Sequence, residues 1–340
     1  MSRARAHHYV PQSYLLGWAN PLGRVAVRRR GRELAYVAAT KRVAQETDLH
    51  TIETLDGPSD AVEGQLSQWE GHLPRFLSAM RQAMIPVVGT PDRALFASLL
   101  ALQYIRTPDR MEFHRFSNDA LVAADGERPV PRGVIGSLLT DRWGYPPTSE
   151  EVQSFWDWTN GSLANLEHVT YGEFLSIQFS TLPEVAAALA SKRWSIEVTK
   201  GRVFIASDQP VSLWLKRPSA LQGVGVVDAD EIRFPVGPRH LLVLRPKGRE
   251  GSGFVTRARV EAVNQEAAAT CRQMVIGRPI DTSYLESILL RDRRPMWKID
   301  EASGYRTGRG GDQYLGEILH SYRPYDDRPV DEYPRAYRDS

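Results

Sequence analysis

The sequence predicts an α+β fold, and three observations support this class. Through most of residues 58–190 apolar side chains recur every three to four positions, which is the periodicity of amphipathic helices. From Trp194 onward the period changes to two, and short runs are separated by turn residues, as in antiparallel strands. Helical periodicity returns over residues 259–276 and stops at Gly277. We therefore expect a mostly helical N-terminal half with a small hairpin, then an antiparallel sheet and a closing helix.

The first predicted elements are a β-hairpin and a long helix. Runs 24–27 and 33–37 flank an arginine-rich turn, a pattern typical of two paired strands. Asp60 followed by Glu63 resembles a helix start signal, and apolar residues at helical spacing continue for about six turns. Pro74 should kink or divide this helix.

Three more helices are predicted from capping signals. One begins after Thr90 and ends near Pro108. A second begins after Thr148, which forms a capping-box pattern with the glutamate three residues later. A short alanine-rich helix should follow Thr181, and residues 125–131 are rich in proline and charge, which predicts a loop.

The C-terminal half should contain five strands, with a turn at 199–201 joining the first two. They are 195–198, 202–206, 211–215, 232–236 and 240–244. We expect residues 1–294 to form a single α+β domain. Residues 295–340 combine charge of both signs with many tyrosines, a composition typical of a mobile tail or of a segment that orders on a partner.

Composition excludes several classes of protein. The chain has 340 residues, of which 42% are hydrophobic and 25% charged, so collagen-like and wholly disordered proteins are excluded. The chain has one cysteine, Cys271, so an intramolecular disulfide is excluded, as is usual for a protein of the reducing cytoplasm. Cys271 lies among apolar residues at helical spacing, which predicts a core position. No run approaches the roughly 18 apolar residues of a membrane span, so we expect a soluble cytoplasmic protein without a membrane partner.

Charge is distributed unevenly along the chain. The first 45 residues contain nine Lys or Arg and one Glu, which gives them a net charge of +8 and leaves −6 on the remainder. Such an arm could bind nucleic acid or an anionic small molecule. It could equally dock on the acidic remainder of its own chain, and nothing in the pattern indicates an oligomeric state.

No established cofactor motif is present. The sequence contains no P-loop, HExxH, paired CxxC or GxSxG motif, and the glycines at 223 and 225 lack the third glycine of a dinucleotide site. The cofactor is therefore undetermined, although imidazole and carboxylate side chains are compatible with a divalent metal.

The N-terminal segment contains the first candidate site residues. His7 and His8 precede Tyr9, a proline and further aromatic residues, which suggests an arm pinned into the protein. Adjacent side chains of an extended segment point to opposite faces, so the two histidines are not expected to bind one metal together. We assign His8 to acid–base or ligand chemistry and His7 and Tyr9 to substrate binding; the alternative is that they only anchor the arm.

Three further places combine polar residues with a buried or constrained backbone. Gln103 and Arg106 share a largely apolar helix face and could clamp an anion, or Arg106 could pair with a carboxylate such as that of Glu70 or Asp208. Asp208 follows a strand on a proline-fixed turn, where it could act as general base or metal ligand, or simply form an Asx-turn. Asn264 lies among the apolar positions of the predicted closing helix. It could contact a substrate, or it could be a buried amide with a structural role.

In this order the motifs resemble a bacterial family known only as a domain of unknown function. The matching segments are His7 to Leu15, Glu46 to Asp48, Gln103 to Pro108, Ser207 to Val211 and Phe234 to His240. The resemblance implies a shared fold over about residues 5 to 278, and implies that His8, Gln103, Arg106 and Asp208 belong to one recurring set. It implies no reaction.

The leading hypothesis is a hydrolase acting on an anionic substrate, for which a phosphodiester is one candidate. Asp208 and one histidine would act as base or metal ligands, while Arg106 and Gln103 would hold the anionic group. A non-catalytic binding or defence-associated module is the first alternative. A nucleic-acid binder that uses the basic arm is the second.

Overall fold

A computed structural model gives the structure of the chain. It describes residues 5–54, 57–110, 136, 139, 145–163, 171–216, 225–290, 297–299, 305–308, 311–314 and 319–321. The loop predicted at residues 125–131 lies outside these ranges.

Helices and strands are interspersed along the whole chain. The helices are α1 (Gln12–Leu15), α2 (Ala61–Glu70), α3 (Leu73–Arg81), α4 (Pro91–Ile105), α5 (Ser149–Leu163), α6 (Tyr171–Ser191), α7 (Arg257–Thr270) and α8 (Thr282–Ser287). The strands of the N-terminal half are β1 (Ala6–His8), β2 (Arg24–Arg29), β3 (Tyr36–Ala39), β4 (Gln45–Thr47), β5 (Ile52–Thr54) and β6 (Gly57–Ser59). Those of the C-terminal half are β7 (Arg193–Val198), β8 (Ala206–Ser207), β9 (Ser212–Trp214), β10 (Glu231–Gly237), β11 (His240–Arg245), β12 (Gly251–Phe254) and β13 (Met274–Gly277). Four short strands follow, β14 (Trp297–Ile299), β15 (Tyr305–Gly308), β16 (Gly311–Tyr314) and β17 (Leu319–Ser321).

Two larger sheets organise the protein, and both helices and sheets are present as the α+β prediction requires. The first sheet has the order β12-β7-β11-β10-β9 and is mixed, because β12 runs parallel to β7. The second has the order β3-β2-β13-β8, so the predicted N-terminal hairpin pairs with strands from the C-terminal half. The α+β class is therefore confirmed, whereas the expected order of elements is not, since the hairpin completes a sheet with C-terminal strands and the sheet expected to be antiparallel contains the parallel strand β12. Strand β13 is apolar and completely buried, and β2 supplies backbone partners for it.

Several predicted boundaries need correction. The second strand of the N-terminal hairpin is Tyr36–Ala39 rather than 33–37. Strands 195–198 and 202–206 were predicted to form a hairpin, but β7 pairs instead with β11 and β12. The helix expected from Thr181 lies inside the longer α6, which contains Pro183. The division of the long N-terminal helix is confirmed, since α2 ends before Gly71 and α3 has Pro74 in its first turn.

The closing helix is shorter than predicted. It ends at Thr270, and Met274–Gly277, expected to be helical, forms β13. Cys271 is buried, but at the C-terminal cap of α7 rather than within the helix. Periodicity alone did not distinguish the end of α7 from the buried strand, because both are short apolar segments.

The main core lies where α1, α3, α4 and α6 pack against the sheets. Trp18, Phe96, Trp194 and Phe234 are among its fully buried large side chains. No helix within the described ranges is long and apolar enough to cross a membrane.

In the C-terminal segment β14 pairs with β17 and β15 pairs with β16. The predicted division of the chain at residue 294 stays a prediction.

Candidate functional site

Two N-terminal segments place histidines side by side. Strand β1 pairs antiparallel with β4, and His7 lies opposite Glu46 in this ladder, buried, while His8 is half-buried. After β4 the chain turns at Asp48, whose φ of 56° is in the left-handed region that Asp adopts more readily than most residues. This turn brings His50 against His7, with ring centroids 5.5 Å apart and planes inclined by 9°.

A carboxylate from helix α2 completes this group, which we call the histidine–carboxylate cluster: His7, His50 and Glu63. The Nδ1 nitrogen of His50 lies 2.5 Å from Oε2 of Glu63. Each of the three side chains can offer one ligand atom, and these atoms all lie within 4.8 Å of one another. Asp60 adds a second carboxylate, with Oδ1 3.9 Å from Nε2 of His7.

Hydrogen bonds define how the imidazoles of the cluster are protonated. The backbone N–H of His50 donates to Nδ1 of His7 over 2.9 Å, so the neutral His7 ring carries its proton on Nε2. Burial lowers the pKa of His50 although the bond with Glu63 raises it, which favours a neutral ring with its proton on Nδ1, facing Glu63. Burial acts to raise the pKa of Glu63, but the hydrogen bond from His50 and nearby positive charge, including that of Arg106, outweigh it, so this pKa is lowered and the carboxylate is ionised.

The predicted pair Gln103 and Arg106 lies next to the cluster. Arg106 forms an ion pair with Glu70, one of the two carboxylates proposed for it, and donates from Nη2 to Oε1 of Gln103 over 2.9 Å. Gln103 in turn donates from Nε2 to the backbone carbonyl of Tyr9 over 2.9 Å. Arg106 also contributes to the lowered pKa of Glu63. Helix α4 is thus linked through polar contacts to the N-terminal arm and to α2.

His8 faces the same carboxylates from the arm. Burial lowers its pKa, while the charges of Glu63 and Glu70 act to raise it. Its Nε2 atom is buried and has no hydrogen-bond partner in the described part of the chain. The structure therefore brings His7, His8, Gln103 and Arg106 to one region.

Tyr9 and the neighbouring cavity leave little room for a ligand in this conformation. Tyr9 is buried, and burial together with the charge of Asp208 raises the pKa of its phenol. A cavity lined by Glu70, Gln103, Arg106 and apolar residues of α1, α3 and α4 holds about one water molecule.

Asp208 has a different set of partners. Its carboxylate accepts backbone N–H bonds from Arg272 at 2.9 Å, Gln273 at 2.7 Å and Met274 at 3.2 Å. Burial, helped by the charge of Asp109, raises its pKa to about 6 in spite of these bonds. Among the described residues Asp208 makes no hydrogen bond or ion pair with the histidines or with Arg106. Its contacts hold the connection between α7 and β13, and its predicted catalytic role gains no support from them.

Asn264 is similarly engaged with the backbone. Its Oδ1 accepts from the N–H of Ile205 at 3.1 Å, and its Nδ2 donates to the carbonyl of Val203 at 2.8 Å and to the hydroxyl of Tyr284 at 2.7 Å. These bonds hold the irregular segment before β8 on α7. These bonds are those of a buried structural amide, which is the alternative to a substrate contact for Asn264.

Two arginines of the basic hairpin are engaged at helix ends. Arg30 donates to the carbonyls of Ala268, Ala269 and Cys271 at the end of α7. Arg28 donates to those of Leu285, Glu286 and Ile288 at the end of α8. Cations are favoured at helix C-termini, so these two charges stabilise the fold of their own chain.

Sequence reasoning missed His50, and at Glu63 it predicted the start of α2 but not the contact with His50. Asp60 and Glu63 match a helix start signal, but Asp60 makes no capping bond; its Oδ1 accepts instead from Oγ1 of Thr51 at 2.9 Å. The local pattern predicts a helix start, but both carboxylates also face the arm. No spacing in the sequence links His50 to His7, because a turn and a strand pairing bring them together.

The fold and this site define an α+β protein with a buried cluster of histidines and carboxylates beneath its N-terminal arm. Residues 6–281 match the family described as "Protein of unknown function (DUF4238)", and the chain belongs to that family. No curated protein sequence and no solved structure matches the chain.

Proposed function

We propose that this chain is a hydrolase of an anionic substrate whose reacting centre is the histidine–carboxylate cluster. The observation that carries the proposal is the 2.5 Å contact between His50 and Glu63 beside a second buried imidazole. An imidazole oriented by a carboxylate is the unit that proteins use to activate a water molecule, either as a base or as a metal ligand.

The protonation pattern supports this chemistry. Glu63 is ionised, partly exposed and oriented by the Nδ1 proton of His50, so its carboxylate would accept a proton from a water molecule that reaches it from solvent. The resulting hydroxide would form the new bond to phosphorus or carbon while the ester bond breaks, and the leaving oxygen would take up the proton. Glu63 is 28% exposed and Asp60 24%, so the carboxylate side of the cluster is reached from solvent.

Arg106 would hold the anionic group of the substrate. Its guanidinium binds Glu70, whose side chain is 23% exposed, so a phosphate or carboxylate can take this place if Glu70 turns outward. Gln103, which is itself anchored on the Tyr9 carbonyl, holds the guanidinium in position during such an exchange.

The alternatives have less support. If the cluster only pins the arm, the chain is a binding or defence-associated module, and loss of the cluster would change stability without changing any reaction. Nucleic-acid binding through the hairpin is less favoured because Arg28 and Arg30 are engaged at helix ends. A cytoplasmic location and a bacterial origin stay predictions from the sequence.

Hydrolysis assays test the proposal. Bis(p-nitrophenyl) phosphate and p-nitrophenyl phosphate serve as anionic substrates and p-nitrophenyl acetate as a neutral one. We expect the unmodified chain to hydrolyse an anionic ester, and Glu63→Gln and His50→Gln to lower kcat by about 100-fold or more, the scale of general acid–base catalysis. The control is His72→Gln, an exposed histidine between α2 and α3, which should retain full activity.

Glu70→Gln separates the role of Arg106 from that of the cluster. We expect it to lower KM for the anionic esters and to leave the neutral ester unchanged, because the charge that competes for Arg106 is removed. No hydrolysis of any of the three esters, or equal rates in the folded Glu63→Gln and unmodified proteins, would overturn the hydrolase proposal in favour of a binding module.

A further inference from the structure

The histidine–carboxylate cluster has the donor set of a transition-metal site. His7 lies on strand β1, His50 follows β4, and Glu63 lies on helix α2, so three separate segments converge on one point. Two imidazole nitrogens and one carboxylate oxygen suit zinc and other divalent first-row metals. We propose that His7, His50 and Glu63 bind a divalent transition-metal ion, with Zn²⁺ as the reference probe.

The distances require only small adjustments. Donors that share one zinc ion at about 2.0–2.2 Å lie about 3–3.5 Å from one another. The His50–Glu63 contact must widen from 2.5 Å, and the remaining donor atoms, all within 4.8 Å, must close slightly. Glu63 is the half-exposed member and can supply most of this movement, while the two imidazoles are packed.

The proton between His50 and Glu63 is in the place where a cation would sit. An ion that bonds to Nδ1 of His50 and to a Glu63 oxygen replaces this proton and keeps the attraction of the carboxylate. At His7 the nitrogen that faces the neighbouring carboxylate of Asp60 is Nε2, at 3.9 Å from its Oδ1. Ligation there moves the ring proton to Nδ1, so the contact from the His50 N–H must lengthen. The metal needs unprotonated donor atoms, so binding should weaken as the pH falls.

Burial indicates which kind of metal site this would be. The side chains of His7 and His50 are 1% and 0% exposed, whereas those of Glu63 and Asp60 are 28% and 24% exposed. An ion held by the three donors would keep its fourth position on the carboxylate side, open to water. Three protein ligands with an open position are typical of catalytic rather than structural zinc sites.

Direct metal binding tests the inference on the full, untagged chain. After the chain is stripped with a chelator, ZnCl₂ and MnCl₂ are titrated by calorimetry, and bound metal is measured by mass spectrometry after gel filtration. We expect one equivalent of Zn²⁺ per chain. Glu63→Gln should weaken binding by at least about 10-fold, since even indirect partners of a metal change affinity by that factor.

Matched variants control for folding and for adventitious binding. Glu63→Gln removes a half-exposed donor and tests the site even if His7→Gln or His50→Gln fails to fold. His72→Gln and Glu150→Gln remove an exposed histidine and an exposed glutamate and should bind as the unmodified chain does. Zinc bound equally by folded Glu63→Gln and by the unmodified chain, or no zinc bound at all, would overturn the inference.

This inference uses the site of the proposed function but not its reaction. Stoichiometric zinc binding without hydrolysis of any ester would support the metal site and overturn the hydrolase. Hydrolysis by a metal-free chain that binds no zinc would support the hydrolase and overturn the metal site.

Discussion

The backbone N–H of Gln273 donates to Oδ2 of Asp208 over 2.7 Å, although the two residues are far apart in the sequence. Arg272 and Met274 donate to the same carboxylate. These three amides belong to the segment where the chain leaves α7 and enters β13. One side chain therefore anchors the junction between the closing helix and the sheet that contains the N-terminal hairpin.

We expect Asp208→Ala to lower the free energy of unfolding by about 3 kcal/mol or more. It leaves one buried and two partly buried amides without their acceptor, and an unsatisfied group costs about 1–3 kcal/mol when it is buried. Urea unfolding measures the change, with Asp228→Ala, at an exposed position, as the control. A loss below about 1 kcal/mol would show that the carboxylate does not anchor this junction.

Glu231 is expected to make stability depend on pH. Its carboxylate contacts Arg233 at 2.6 Å, Arg245 at 2.8 Å and Arg259 at 2.7 Å. Burial acts to raise the pKa of Glu231, but these arginines outweigh it and lower the pKa to about 2. Because the pKa in the folded chain is below the ordinary value of 4.5, the stabilisation is complete above about pH 4.5 and is lost as the pH falls toward 2.

Glu231→Gln should therefore lower the free energy of unfolding at pH 7 by about 2–3 kcal/mol, because its charge-assisted bonds to three arginines are lost, although each arginine keeps a second carboxylate partner. The difference from the unmodified chain should shrink steadily below pH 4.5. Chemical unfolding from pH 7 down to the lowest pH at which the chain stays folded measures both. Glu150→Gln should show no such trend, and a difference that stays constant with pH would contradict the assignment.

Arg30→Ala should lower the free energy of unfolding by about 1–2 kcal/mol, because the guanidinium satisfies carbonyls at the C-terminus of α7. Arg32→Ala, at an exposed position of the same turn, should change it by less than about 0.5 kcal/mol. Thermal unfolding distinguishes the two. Equal effects of the two variants would argue against a capping role for Arg30.

Asn264→Ala should cost about 2–3 kcal/mol, since it leaves the N–H of Ile205 and the carbonyl of Val203 buried without partners. Gln265→Ala, on the exposed side of the same helix, is the control. If Asn264 contacts a substrate instead, the variant would unfold like the unmodified chain and lose affinity in the hydrolysis assay.

Local chemistry explains which elements the sequence predicted well. Thr148 and Glu151 form the capping box that their spacing indicates, and Thr90 accepts the N–H of Arg93 as a helix cap should. The same kind of signal at Asp60 and Glu63 marks the start of α2, but both carboxylates face the histidines of the arm. A capping pattern and a site residue have the same sequence appearance, because both place a carboxylate in the first turn of a helix.

The sequence by itself determined the α+β class and the divided N-terminal helix, since these depend on periodicity and on proline. It also indicated that Arg106 needs a partner, because a buried charge is costly when unpaired, but the structure selected Glu70. Only the tertiary structure decided that β13 pairs with the N-terminal hairpin, and that His50 and Glu63 rather than Asp208 lie beside His7. Those relationships join segments distant in sequence, and they depend on which backbone groups remain to be paired once the chain is compact.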